Sequence, residues 1–134
     1  MLFTYRFLTF LLFPALIILI HFRKLINKEH KIRYKEKLFK SSFLANRNIS
    51  NKLYWFHASS IGETMSIIPL IKELNKNNQN LDFLITTVTL SSARLVDKDL
   101  KELENIKHRF FPLDVNHLVK NFLDTWKPNL ICFV

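Results

Sequence analysis

Short apolar segments alternate with amphipathic segments from residue 53 onward. In the amphipathic stretches, apolar side chains recur at helical spacing over 62–76, from Ser91 to Asn105 and over Val115–Trp126. The predicted strands between them are LYWFHA (53–58), LDFLITT (81–87), His108–Pro112 and NLICFV (129–134). This order predicts an α/β fold with a Rossmann-like parallel sheet and right-handed crossovers. In such sheets the functional loops lie at the carboxyl ends of the strands.

The last predicted strand, NLICFV (129–134), is strongly apolar. Strands of this type are buried on both faces of a sheet, and when exposed they are aggregation-prone edges. No segment follows that could cover this strand. We therefore expect the chain to be the first half of a longer protein, and the strand to be unstable without its continuation.

The N-terminal residues 7–22, FLTFLLFPALIILIHF, contain no formal charge and are almost wholly apolar. As a helix this run is about 24 Å long, slightly short of a hydrocarbon core of about 30 Å. Residues 2–5 extend it if the Arg6 guanidinium reaches the interface, and membrane helices tolerate a proline such as Pro14. A membrane span and a shallow insertion both fit. A cleaved signal peptide fits less well, because the positive charge follows the apolar run and no small-residue cleavage site is present.

The positive charge is concentrated next to this apolar run. The formal net charge is +9, and residues 1–40 hold nine of the twenty Lys and Arg with two acids. Because the excess is not spread over the body, it favours anionic membrane lipids over nucleic acid, with the basic side and everything after it in the cytoplasm. The alternative is a solvated basic helix. We divide the chain into a membrane anchor helix (1–22), a basic interfacial segment and linker (23–52) and an incomplete Rossmann-like domain (53–134).

The composition excludes several classes of site. One glycine in 134 residues is incompatible with a Walker or GxGxxG phosphate loop. The single cysteine, Cys132, excludes a disulfide framework and a cysteine-based zinc site, and fits a small buried side chain. We expect neither a cofactor nor a metal centre.

The only glycine lies in HASSIGE (57–63), where the first strand meets the first helix. At such a junction a ligand can approach the backbone closely at Gly62. On spacing alone, Glu63 is a first-turn acid that complements the helix dipole, and Ser60 is the N-cap. Thr87, at the end of the second strand, and Thr89, just after it, lie on the same rim. Their position also suits ordinary loop and capping roles.

A resemblance adds to this interpretation. HASSIGE (57–63), TTVTLSSAR (86–94), HRFFPLD (108–114) and FLDTWKPNLICFV (122–134) occur in order along the chain. Together with the hydrophobic start and RYKEKLF (33–39), they resemble the amino-terminal domain of the 3-deoxy-D-manno-octulosonic acid (Kdo) transferases of lipopolysaccharide synthesis. The family often carries a glycine in the loop after the second strand, where this chain has none.

The resemblance implies a GT-B glycosyltransferase at the cytoplasmic face of the inner membrane. It implies inverting transfer of Kdo from CMP-Kdo to a lipid A precursor, with Glu63 as the general base. Ser60, Gly62, Thr87 and Thr89 are the candidate substrate-binding residues. The family's acidic motif with tryptophan and its CMP-binding domain would follow Val134, so this chain alone is expected to be inactive.

Two alternatives remain open from the sequence. One is another GT-B glycosyltransferase that acts on a lipid acceptor. The other is a membrane-anchored α/β interaction module without catalysis, in which Glu63 has only its capping role. Arg94 and Lys98 suit solvated helix positions, and His57 suits a strand-end hydrogen-bonding role.

Overall fold

The computed structural model describes residues 2–43, 49–78 and 80–134. Contacts divide the described residues into two compact units, one from 1–44 with 112–125 and the other from 45–111 with 126–134. The helices are α1 (Leu2–Leu25), α2 (Ile61–Asn77), α3 (Leu90–Asp99) and α4 (Asn116–Trp126). The strands are β1 (Lys52–Ala58), β2 (Leu81–Thr87), β3 (Ile106–Phe110) and β4 (Leu130–Phe133).

The four strands form one sheet in the order β3-β2-β1-β4. All three neighbouring pairs are parallel, and His57 on β1 is in register with Thr86 on β2 and with Phe133 on β4. The predicted α/β fold is therefore confirmed. The direction of strand succession reverses between β1 and β4, and ligands of doubly wound sheets bind at the carboxyl ends of strands at such a point.

The main core lies on the α2 and α3 side of the sheet. Side chains alternate along β1, so Phe56 and Ala58 point into this core while Trp55 and His57 occupy the opposite face. The helices contribute branched side chains at helical spacing. The buried members of the cluster are Phe56, Ala58, Ile67, Ile68, Ile71, Leu81, Phe83, Ile85, Val96 and Leu100. The core thus packs β1 and β2 against the middle of α2 and against α3.

Helix α3 is shorter than predicted and β3 begins earlier. The helix ends at Asp99, where the N–H of Leu100 bonds to the Val96 carbonyl, and β3 spans Ile106–Phe110. Leu103 still packs against the core after the helix has ended, so the apolar spacing continues beyond the helix. The Asn105 side chain then donates to the Leu81 carbonyl at 2.6 Å and stabilises this connection.

Strand β4 forms an exposed edge of the sheet, although its composition is typical of buried strands. Within the described chain it pairs with β1 on one side. Leu130 is 47% exposed and Phe133 is 61% exposed, whereas Cys132 is partly buried against the main core. The apolar sequence of β4 therefore creates an apolar rim beside the end of β1.

In the other unit, α1 is a 24-residue helix with Pro14 inside it. Its length is about 36 Å at the ordinary helical rise, which exceeds a typical hydrocarbon core. The segment Thr4–Leu25 has a mean hydropathy of 1.9, and 6% of the residues in its most apolar stretch are buried. By length and composition this helix can cross a membrane.

Part of the basic segment after α1 is neutralised by its own acids. The Glu29 carboxylate accepts from Arg23 Nε at 2.9 Å and from Lys37 Nζ at 2.6 Å. The Glu29 and Lys37 side chains are 3% and 7% exposed. Burial lowers the pKa of Lys37, and the hydrogen bond to Glu29 opposes this shift. The lysines of this segment that remain exposed are Lys28, Lys31, Lys35 and Lys40.

We expect Glu29→Leu to destabilise this unit by about 3 kcal/mol, because it removes the carboxylate that neutralises the buried Lys37. Urea or thermal melting in a mild detergent measures the change. Glu73→Gln is the matched control, since Glu73 is 66% exposed in its ion pair with Lys76 and should matter by less than about 0.5 kcal/mol. Equal losses from both variants would contradict a stabilising role for the buried pair.

Candidate active site

The carboxyl end of β1 joins α2 through a two-residue connection, Ser59 and Ser60. Ser60 is the N-cap of α2: its Oγ accepts from the Glu63 N–H at 3.2 Å. In return, Glu63 Oε2 accepts from the Ser60 N–H at 3.2 Å and from the Ser59 N–H at 2.6 Å. This capping box confirms the helix start that Ser60 and Glu63 predicted.

The same hydrogen bonds set the electrostatics of the Glu63 carboxylate. The Ser59 N–H is the main cause that lowers the pKa of Glu63, with smaller contributions from Ser60 and from His57, against the opposing effect of burial. Glu63 is therefore ionised at neutral pH. Among the described residues, no hydrogen bond is made to Oε1, so one oxygen of an oriented carboxylate remains available at the helix start.

Gly62 is not required by the packing of the described chain. A Cβ built at this position would meet Ser60 Oγ at 4.0 Å, which is ordinary contact, and the residue does not adopt a positive φ. The side of α2 in front of Gly62 is thus open within the described chain. Close approach by a ligand is consistent with this opening.

His57, the last but one residue of β1, is buried and uses both ring nitrogens. Nδ1 lies 2.9 Å from Thr86 Oγ1, and Nε2 lies 3.1 Å from Ser59 Oγ. Burial is the main cause that lowers the pKa of His57, while the Thr86 hydrogen bond and the charge of Glu63 raise it. The predicted strand-end hydrogen-bonding role is confirmed. The link from His57 to Thr86 could not be predicted from local sequence, because that contact depends on strand register.

Aromatic rings surround the His57 side of the sheet. The His57 ring centroid lies 4.1 Å from that of Phe111 and 5.2 Å from that of Phe133. Trp55 stacks on Phe111 at 6.1 Å, and its Nε1 donates to Thr86 Oγ1 at 2.8 Å. Aromatic side chains therefore pack the end of β1 beside the connection that carries Ser59.

Thr87 and Thr89, the candidate residues at the end of β2, both make hydrogen bonds within the fold. Thr87 is fully buried, and its Oγ1 lies 2.9 Å from His108 Nε2. Thr89 is the N-cap of α3 and accepts from the Ser92 N–H. These contacts show structural roles, and substrate binding by Thr87 and Thr89 stays a prediction. Arg94 and Lys98 are exposed on α3, in keeping with solvated positions.

The arrangement suits proton transfer at a hydroxyl group. The Glu63 carboxylate is ionised, half-exposed and located where the order of the strands reverses. Two main-chain N–H groups hold it, and the neighbouring Gly62 has open space in front of it. In the described part of the chain, no group of three or more His, Cys, Asp or Glu is placed to hold a metal ion.

Comparison with known proteins identifies the family. Residues 31–134 match the family described as 3-Deoxy-D-manno-octulosonic-acid transferase (kdotransferase). The chain is 35% identical over 130 residues to the 3-deoxy-D-manno-octulosonic acid transferase of Rickettsia bellii, covering 97% of this chain and 30% of that protein. It is also 35% identical over 127 residues to the probable mitochondrial 3-deoxy-D-manno-octulosonic acid transferase of Arabidopsis thaliana, covering 95% and 27% of the two chains.

A more distant relative is the 3-deoxy-D-manno-octulosonic acid transferase of Haemophilus influenzae, 28% identical over 80 residues, which are 60% of this chain and 18% of that protein. No solved structure matches the chain significantly. The chain thus spans less than a third of the length of these relatives. By the match over 31–134 and the identity along nearly its whole length, this chain belongs to the 3-deoxy-D-manno-octulosonic acid transferase family.

Proposed function

We propose that the native protein containing this chain transfers Kdo from CMP-Kdo to a lipid A precursor, with inversion at the anomeric carbon. The chain supplies the acceptor side of a GT-B enzyme, and the donor site lies mainly on a second domain. Membership of the Kdo transferase family supports Kdo as the transferred sugar. The single observation that carries the chemistry is the oriented Glu63 carboxylate with a free oxygen at the end of β1.

In this proposal Glu63 is the general base. An acceptor hydroxyl has a high pKa and must lose its proton as it attacks an oxocarbenium-like sugar carbon. Glu63 Oε1 accepts that proton, while Oε2 stays on the N–H groups of Ser59 and Ser60. The lowered pKa makes Glu63 a weak base, so close positioning against the hydroxyl supplies much of the rate.

The membrane placement is part of the same proposal. Helix α1 anchors the chain in the inner membrane, and the exposed lysines after it stay on the cytoplasmic side near anionic headgroups. Residues 1–22 then form the anchor, 23–52 the interfacial segment and linker, and 53–134 the acceptor-side domain. A lipid acceptor is consistent with an enzyme held at the bilayer surface.

The proposal is tested by incubating the native protein with CMP-Kdo and a lipid A precursor, followed by mass spectrometry of the lipid. We expect a mass gain equal to one or more Kdo residues and release of CMP. An unchanged lipid with intact CMP-Kdo would refute the proposal. A gain from a different nucleotide sugar would instead identify another GT-B lipid glycosyltransferase.

The open position in front of Gly62 gives a second test. We expect Gly62→Ala to leave the fold intact, because the added methyl meets no atom closer than Ser60 Oγ at 4.0 Å. If the acceptor approaches the backbone here, the methyl raises the acceptor KM roughly tenfold. Steady-state kinetics and a melting curve measure the two effects, and an unchanged KM would exclude close approach at this residue.

A further inference from the structure

The buried His57 has no part in the proton transfer proposed above. We propose that His57 is a positioning residue that holds Ser59, and through Ser59 the main-chain N–H that orients the Glu63 carboxylate. The inference rests on the proposed function of Glu63 as the base, and it adds a residue and a contact to that site.

The His57 ring is fixed on three sides. Its Nδ1 lies 2.9 Å from Thr86 Oγ1, which also accepts from Trp55 Nε1 at 2.8 Å. The ring packs against Phe111 and Phe133, and the whole residue is 7% exposed. Because the sheet register sets these contacts, the position of Nε2 is determined by the strands and not by the loop.

Ser59 joins this fixed ring to the carboxylate. Its Oγ lies 3.1 Å from His57 Nε2, and its N–H donates to Glu63 Oε2 at 2.6 Å, the shortest hydrogen bond that Glu63 makes within the described chain. Ser59 itself is exposed and belongs to neither β1 nor α2. The His57 contact is therefore what fixes its side chain to the sheet.

The link does not depend on a charge on His57 near neutral pH. Burial lowers the pKa of His57, so the ring is neutral above about pH 6.5. Glu63 on α2 is the charged group that acts on the ring. Thr86 from β2, Phe111 after β3 and Phe133 from β4 are uncharged. Replacing His57 at about pH 7.5 thus changes hydrogen bonding and position without removing a cation.

The first experiment needs no transferase activity. NMR titration of the Glu63 side-chain carboxyl carbon measures its pKa in the full chain. Ser59→Ala keeps the charge of His57 but removes its hydroxyl partner, so the Ser59 N–H should bind the carboxylate less well and the pKa of Glu63 should rise toward the ordinary glutamate value. His57→Phe should shift it in the same direction, but this variant also removes the charge of His57 that lowers the pKa of Glu63, so Ser59→Ala is the deciding variant.

His108→Phe is the matched control. His108 is also a strand-end histidine next to a threonine hydroxyl, but it contacts Thr87 and not Ser59. We expect no change in the Glu63 titration for this variant. A Glu63 titration in Ser59→Ala that coincides with the wild type would overturn the proposal. Because Ser59 is exposed, this variant remains informative if His57→Phe fails to fold.

The second experiment measures Kdo transfer by the native protein at about pH 7.5, where His57 is neutral. His57→Phe and Ser59→Ala should each lower kcat at least tenfold with little change in KM, because a misplaced base loses rate and not acceptor binding. The double variant should be no worse than the single ones, and His57→Gln, which can donate to Ser59, should recover part of the loss. Additive losses, or unchanged kcat, would refute the link.

The two experiments separate this inference from the proposed function. If Glu63→Gln retains transfer, the assignment of Glu63 as base fails, while the titration still decides whether His57 and Ser59 orient the carboxylate. If Glu63→Gln is inactive, but Ser59→Ala has the Glu63 pKa and the turnover of the wild type, Glu63 is retained as the base. The positioning role of His57 is then refuted.

Discussion

Replacing the four exposed lysines of the basic segment by glutamine should weaken binding to anionic vesicles more than about a hundredfold, since each base near such a surface contributes roughly 1 kcal/mol. The four are Lys28, Lys31, Lys35 and Lys40. Arg23, Arg33 and Lys37 are already paired with Glu29 or Glu36 and are left intact. Vesicle flotation at low and high salt measures the change.

The matched control is a chain with four exposed lysines of the other unit replaced by glutamine, namely Lys72, Lys76, Lys98 and Lys101. Its net charge changes by the same amount, so equal losses of binding would refute a specific role of the basic segment. A chain that begins at Ser41 lacks both α1 and the four exposed lysines, so it should bind neither anionic nor neutral vesicles. Full binding by that chain would contradict anchoring through residues 1–40.

The layers of the fold could be predicted from the sequence because they follow from local periodicity. Ile67, Ile68 and Ile71 recur at helical spacing on α2 and are buried as that spacing requires. The end of α3 could not be predicted in this way. Leu103 continues the apolar spacing of the helix, but it packs on the core from the connection to β3.

The ion pairs of the basic segment could not be predicted from the sequence, because they depend on tertiary structure. Net charge indicates a run of free cations, whereas Glu29 accepts from Arg23 six residues before it and from Lys37 eight residues after it. Neither spacing places two side chains together on one helix. Burial of Lys37 follows from this packing and has no signature in composition.

In the candidate site, the roles of Ser60 and Glu63 at the helix start could be predicted, but the contacts of His57 could not. Ser60 and Glu63 have the spacing of a capping box, so the helix start and the position of the carboxylate follow from the sequence. The role of His57 does not, because Thr86 lies 29 residues away and reaches it through the pairing of β1 with β2. The ring of Phe133 reaches His57 through a different long-range contact, the pairing of β1 with β4.

The second large effect is expected from Glu63→Gln in the native protein. Glutamine at this position still completes a capping box with Ser60, so α2 and the fold should be retained. It cannot accept a proton, and loss of a general base typically costs a factor of about 10² to 10⁴ in rate. Steady-state transfer and circular dichroism measure activity and fold in the same preparation.

Glu73→Gln provides the matched control for that change. Glu73 lies on the same helix and pairs with Lys76 in solvent, so its replacement should leave transfer and fold near normal. If both variants lost transfer equally, the loss would arise from a general effect on α2 and not from the chemistry of Glu63.

The measurement closest to the central claim is the single-turnover rate of Kdo transfer at saturating acceptor, with wild-type protein and the Glu63→Gln variant side by side. Under these conditions neither acceptor binding nor product release limits the rate. The role of Glu63 as base predicts a rate at least about a hundredfold lower in the variant, with the fold unchanged. A variant that kept more than about a tenth of the wild-type rate would contradict that role and leave Glu63 as a helix cap alone.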